Sequence, residues 1–315
     1  MKNIMLLLIY FSACQILAQQ NDLVTLSYPA INDLGSNTYN GFTGGLYPDG
    51  TNEMPEFYSD LGIEIAKGIE PLNKEGYMGD NDDIVFLSIG MSNTTMEFRS
   101  FMAMADTLNN LNDQLSFIDG AIGGYDIRRI TDPATDYWQK VDNRLKEKGY
   151  SRHQVQIVWF KEAEAGSKDD LFPDHALRLK EKYREAVNIL SAYFPNLKMI
   201  YFSSRIYGGY ATVKLNPEPY AYYSGWSIKW LIEEEIKKTK CLADCKHDTK
   251  PFLAWGPYLW ADGTNKRDDG TFWTMEDFVE KDRTHPSAEG VQKVAGMLFD
   301  FFTTDQTAKY WFLKN

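Results

Sequence analysis

The sequence predicts one α/β domain built on a parallel sheet with helices on both faces. Short apolar runs recur from residue 84 onward, and amphipathic stretches of helical period alternate with them. The chain's 315 residues, 43% of them hydrophobic, suffice for one large core without a second domain. Strand and helix alternating in this way imply parallel strands joined by helical crossovers.

The strand candidates are residues 84–89, 115–118, 155–160, 197–202 and 252–255. Each is short and apolar without a polar alternation, as expected of a strand buried on both faces. The helical stretches are 94–108, 137–148, 174–193 and 222–238, with 288–302 after the last strand. In 174–193, Leu177, Leu179, Tyr183, Val187 and Leu190 recur at roughly helical spacing, while Arg178, Lys180, Glu181, Lys182 and Arg184 supply a solvated face. Residues 22–80, rich in Gly, Asn, Asp, Pro and Tyr, read as irregular, with only 59–69 helical.

Lys2 precedes the apolar run 4–11 and then Ile16-Leu17-Ala18, the pattern of an export signal too short to span a bilayer. The expected organisation is a signal peptide at 1–18, an irregular N-terminal extension at 19–80 and the α/β domain at 81–315. A secreted or periplasmic protein follows, with no transmembrane segment in the mature chain. Phe11-Ser12-Ala13-Cys14 loosely imitates a lipoprotein cleavage box, so anchoring through Cys14 is the alternative, although such boxes carry Leu, Val or Ile at the place of Phe11. In an oxidising compartment, Cys241 and Cys245 are expected to close a small disulfide loop. A metal reading that recruits His247 has weak spacing, and no metal or cofactor is expected.

The formal charge of -11 repels phosphate backbones and anionic lipid, which argues against nucleic acid as a partner. Eight Trp and 19 Tyr suit stacking against sugar rings, or simply fill an aromatic core. The loops 207–210, 216–223 and 255–260 hold many of them and stand either as a binding wall or as packed loop structure.

Ligands of such sheets bind beyond the carboxyl ends of the strands. There the first core strand runs into Gly90-Met91-Ser92-Asn93, which would set Ser92 at a helix N-terminus with its amide free, although Ser is also a common N-cap. Before the last helix stands Asp282-Arg283-Thr284-His285-Pro286. An Asp three residues before a His in one turn can hold Nδ1 of the imidazole and leave Nε2 to accept a serine proton.

Gly-x-Ser after the first strand and Asp-x-x-His-Pro before the last helix resemble the first and last blocks of the SGNH (GDSL-like) hydrolase family. The resemblance covers roughly residues 82–303. It implies a flavodoxin-like three-layer α/β/α sandwich with a mostly parallel five-stranded sheet, and hydrolysis of a carboxylic ester through an acyl-serine intermediate. Ser92 would be the nucleophile, His285 the general base and Asp282 its orienting acid. The oxyanion hole would use the amides of Ser92 and of Gly124, with Gly123 a close second. Met91 replaces the Asp of the family's Gly-Asp-Ser.

The third block departs from the family. After 155–160 the family has Gly-x-Asn-Asp, whose Asn donates to the oxyanion, whereas this chain reads Lys161-Glu162-Ala163-Glu164-Ala165-Gly166, with Glu164 nearest the Asn position. An ionised carboxylate there would repel the developing charge. Either Glu164 is protonated or turned away, or it pairs with Lys161 or Arg205, or another donor such as Asn93 completes the hole. Trp159 followed by Glu164 loosely resembles the Trp-x-Gln-Gly-Glu of some carbohydrate esterases, which points to an O-acetyl group on a carbohydrate. The alternative is a catalytically degraded protein of this fold that binds carbohydrate. A flavodoxin-like cofactor binder is disfavoured because no phosphate-cradling loop follows the first strand.

Overall fold

A computed structural model of the chain describes residues 28–79, 82–167, 171–241 and 250–314. Its first part carries a short helix α1 (Ile31–Leu34), a small hairpin of β1 (Thr38–Tyr39) and β2 (Phe42–Thr43), and helix α2 (Glu56–Lys67). The main sheet follows. Strand β3 (Ile84–Gly90) leads into α3 (Ser92–Ala105), and β4 (Leu115–Asp119) into α4 (Ile127–Ile130) and α5 (Tyr137–Glu147). Strand β5 (Val155–Lys161) precedes α6 (Asp174–Tyr193), β6 (Met199–Phe202) precedes α7 (Tyr220–Cys241), and β7 (Phe252–Trp255) precedes α8 (Ala288–Thr304) and α9 (Lys309–Phe312).

The five strands pair in parallel in the order β4-β3-β5-β6-β7, with Ile84 opposite Leu115, Ile157 opposite Met199 and Met199 opposite Phe252. By position in the sheet this is the flavodoxin-like order 2-1-3-4-5. Every residue of β3 and β5 is buried, in keeping with their largely apolar sequences, which only Ser88, Gln156 and Lys161 interrupt. Successive side chains serve opposite layers. Trp159 stacks on Phe98 of α3, while Phe160 meets Tyr183 of α6 edge-on. On the α3 side, Phe86 packs against Phe98 and against Phe302 of α8.

The strands match the apolar runs closely. Two differences have local causes. Strand β6 begins at Met199 because Leu197 closes the turn after α6, donating its amide to the carbonyl of Phe194. Helix α3 begins two residues before the predicted start, because Gly90 lets the chain turn at once. A Cβ on Gly90 would fall 2.5 Å from the Lys161 carbonyl oxygen.

The segment before the sheet is packed into the same core. Tyr58 of α2 stacks on Phe252 with ring centroids 4.5 Å apart, and its hydroxyl donates to the Leu253 carbonyl, so α2 covers the edge strand β7. Trp255 donates to the Leu46 carbonyl and Tyr222 to that of Pro29. Among the described residues no helix is long and apolar enough to cross a membrane. Cys241 is exposed at the end of α7. Its expected partner Cys245, with His247, Cys14 and the export segment 1–18, lies outside the described residues.

Candidate active site

Three segments distant in sequence meet above the carboxyl ends of β3, β4 and β5. Ser92 is the first residue of α3, with Met91 in the cap position. Its hydroxyl is thereby released from capping, and its amide belongs to the first helical turn, where no intrahelical acceptor exists. Ser92 Oγ lies 2.7 Å from His285 Nε2.

The imidazole is held by its own turn. His285 Nδ1 lies 2.8 Å from Asp282 Oδ2, while Asp282 Oδ1 accepts the amides of Thr284 and His285, each at 2.9 Å. Partial burial raises the pKa of this carboxyl, but the two amides and the imidazole outweigh it and hold the group below its usual range. The turn is fastened from outside as well. Val279 N–H donates to the His285 carbonyl and Thr212 N–H to that of Asp282. Ser287 caps α8 immediately after, accepting from the Gly290 amide. With Nδ1–H directed at Asp282, Nε2 is left free to accept a hydrogen bond from Ser92.

Ser92 and His285 open onto a cavity of about 460 Å³, which Gly124 also lines. Gly124 has φ +81°, a conformation that favours glycine, and Gly123 sits against the Ser92 side chain, where an added Cβ would be 3.4 Å from that of Ser92. Asn93 lines the same cavity, and its buried Nδ2 has no hydrogen-bond partner.

Glu164 is turned away from this space. Its Oε2 accepts from Arg178 Nη2 at 2.9 Å, and His175 Nδ1 stands 3.9 Å off. Ala165 takes the cavity-facing position instead, anchored by Asp126, which accepts the Ala165 amide at 3.0 Å. The expected pairings of Glu164 with Lys161 or Arg205 do not occur. Lys161 Nζ reaches both oxygens of Glu97 at 2.5 Å, and both side chains are fully buried. Burial pulls the Lys161 ammonium down to about 8, against the opposing pull of Glu97. Burial likewise pushes Glu162 well above the carboxylate range.

Arg205 lines the cavity from the end of β6, with Nε and Nη1 unpartnered. Asn216, in the loop after β6, lines the same cavity, and neither end of its amide is bonded among the described residues. Arg128 and Arg129 complete the cationic lining. From the sequence, Arg205 is named only as a partner for Glu164 and Asn216 only as part of the loop 216–223, while Arg128, Arg129 and Glu97 are missed. A cluster of arginines near a strand end in so acidic a chain was the available signal.

The aromatic loops are packed structure. Tyr207, Tyr222, Trp255 and Trp260 are all buried, as is Trp159, whose Nε1 donates to Ser203 Oγ at 3.0 Å. None of them lines the Ser92 cavity, so they build no sugar-stacking wall there.

No family model matches the chain, and no curated protein matches it. Solved structures with which it aligns include a GDSL-like lipase from Bacteroides thetaiotaomicron, at 12% identity and TM-score 0.41 over 77% of this chain and 95% of that one. An acetyl xylan esterase aligns at 13% identity and TM-score 0.35, over 69% of this chain and 98% of that one. An extracellular lipase from Streptomyces rimosus aligns at 10% identity and TM-score 0.33, over 67% and 98%.

Proposed function

We propose that this chain is a serine hydrolase of carboxylic esters, exported on the strength of its apolar run at 4–11. The observation that carries the reading is the continuous chain of contacts from Ser92 Oγ to His285 Nε2 at 2.7 Å and from Nδ1 to Asp282 Oδ2 at 2.8 Å. In the proposed reaction Ser92 attacks the ester carbonyl as Nε2 takes its proton, and Asp282 steadies the imidazolium. The oxyanion is received by the amide of Ser92 at the N-terminus of α3, where the helix dipole favours negative charge, and by that of Gly124 in the loop after β4. Nε2 then returns the proton to the departing alcohol, and a water activated by the same nitrogen releases the acid from Ser92.

The engagement of Glu164 with Arg178 supports this reading, because it removes the carboxylate that would have opposed the oxyanion. The burial of Trp159 and of the aromatic loops leaves the O-acetyl carbohydrate as one ester among several. Turnover of 4-nitrophenyl acetate tests the proposal. Ser92→Ala is expected to lower kcat by about a thousandfold or more, with the fold intact by circular dichroism. Undiminished turnover by that variant would refute the assignment.

A further inference from the structure

The lining of the Ser92 cavity has the opposite sign from the rest of the molecule. The chain carries a formal charge of -11, yet Arg128, Arg129 and Arg205 all line this one cavity. Arg128 is neutralised by Asp126, with Nη2 2.5 Å from Oδ2. The other two have no carboxylate within ion-pair distance among the described residues. Arg129 is held at the rim, where Nη1 donates to the Gly124 carbonyl at 2.8 Å and the guanidinium lies over the Tyr125 ring.

Arg205 is the more telling of the two. It is 3% exposed, and its Nε and Nη1 have no partner. Glu97, which acts on Arg205 electrostatically, is already bonded through both oxygens to Lys161. Glu162 also acts on Arg205 electrostatically, but it makes no ion pair with it among the described residues, and burial pushes its carboxyl well above the carboxylate range. A buried cation with no directly paired anion is costly, and a negative group that reaches its free N–H groups offsets that cost. Asn216, 4% exposed with both amide atoms unbonded among the described residues, adds a donor to the same cavity. Its loop is pinned over the end of β5, where the Gly166 amide donates to the Leu215 carbonyl at 2.8 Å.

We infer that the ester taken by this cavity bears a carboxylate, bound between Arg205 with Asn216 on the inside and Arg129 at the rim. The inference rests on the hydrolase reading above and narrows its substrate class. The carboxylate belongs either to the acyl part or to the alcohol part of the ester, and two matched pairs separate these sources. One is 4-nitrophenyl hemisuccinate against 4-nitrophenyl butyrate, and the other is O-acetylglucuronate against O-acetylglucose.

At low ionic strength, kcat/KM for the charged member of one pair is expected to exceed that of its neutral counterpart by about tenfold or more. The ratio should shrink in about 0.5 M NaCl. Arg205→Gln should bring it close to one, and Arg129→Gln should lower it severalfold. A ratio at or below one in both pairs overturns the inference. So does an Arg205→Gln enzyme that loses charged and neutral turnover equally, since that would make Arg205 a partner of the oxyanion. If Arg205→Gln does not fold, Arg129→Gln and the salt series decide, and a ratio that neither changes overturns the inference. If no ester is turned over, the hydrolase reading falls by itself. Calorimetric titration of the wild-type protein then still tests the anion site: glucuronate binding that glucose does not match and Arg129→Gln weakens supports it, and equal or absent binding overturns it.

Discussion

Asp282 does two tasks with two oxygens, and this makes its replacement informative. Oδ1 accepts two backbone amides and Oδ2 faces His285 Nδ1. In Asp282→Asn the remaining oxygen keeps the amides, so the new NH₂ group faces Nδ1 and drives the ring to the tautomer with its proton on Nε2. That nitrogen then no longer accepts from Ser92. The expected result is a fall in kcat of about 10²- to 10⁴-fold with little change in KM or in thermal stability, measured on 4-nitrophenyl acetate. The residues behind this prediction were legible because their relations are local. Gly90 and Ser92 sit at one strand end, and Asp282 and His285 share one turn. Glu164 was not legible in the same way. Its partner Arg178 lies 14 residues on in another element, and no local rule connects them. The same holds for Arg205 and Asn216, whose lack of partners is a property of the folded cavity alone.

At the scale of elements, the junction of β6 and α7 contains a carboxylate that makes stability depend on pH. Glu218 precedes α7 and accepts from the Gly208 amide at 2.8 Å, the Tyr222 amide at 2.9 Å and Trp260 Nε1 at 2.7 Å. Burial nevertheless pushes it up from 4.5 to about 7, with these three donors only partly opposing the rise. A folded pKa above the unfolded one means the native state holds the proton more tightly. The associated stability is therefore present below 4.5 and is lost as pH rises through about 7. Urea unfolding between about pH 5 and about pH 8 should show wild-type stability falling by a few kcal/mol more than that of Glu218→Gln. Parallel pH profiles would contradict this account. The strands themselves were readable because both faces are buried, leaving continuous apolar runs. The aromatic loops were not, since Tyr and Trp serve a core or a ligand equally well. What decides between them is the cover supplied by residues 28–67, far away in the chain.

In the whole molecule, a segment with little periodicity of its own closes the edge of a well-patterned sheet, and an acidic exterior surrounds an arginine-lined cavity. Both relations come from tertiary packing. The sequence reading expected 19–80 as an extension, and the packing of Tyr58 on Phe252 ties that segment to the strand bearing one wall of the core. The net charge likewise argues against nucleic acid as a partner, while the fold gathers Arg128, Arg129 and Arg205 at one opening. The proposed reaction requires that this architecture activate one serine among many. It is tested most directly by treating the native protein with a fluorophosphonate and locating the adduct by peptide mass spectrometry. The account predicts a single adduct, on Ser92, that is lost in His285→Ala. An unmodified Ser92 in the folded protein, or an adduct that persists undiminished without His285, would contradict it.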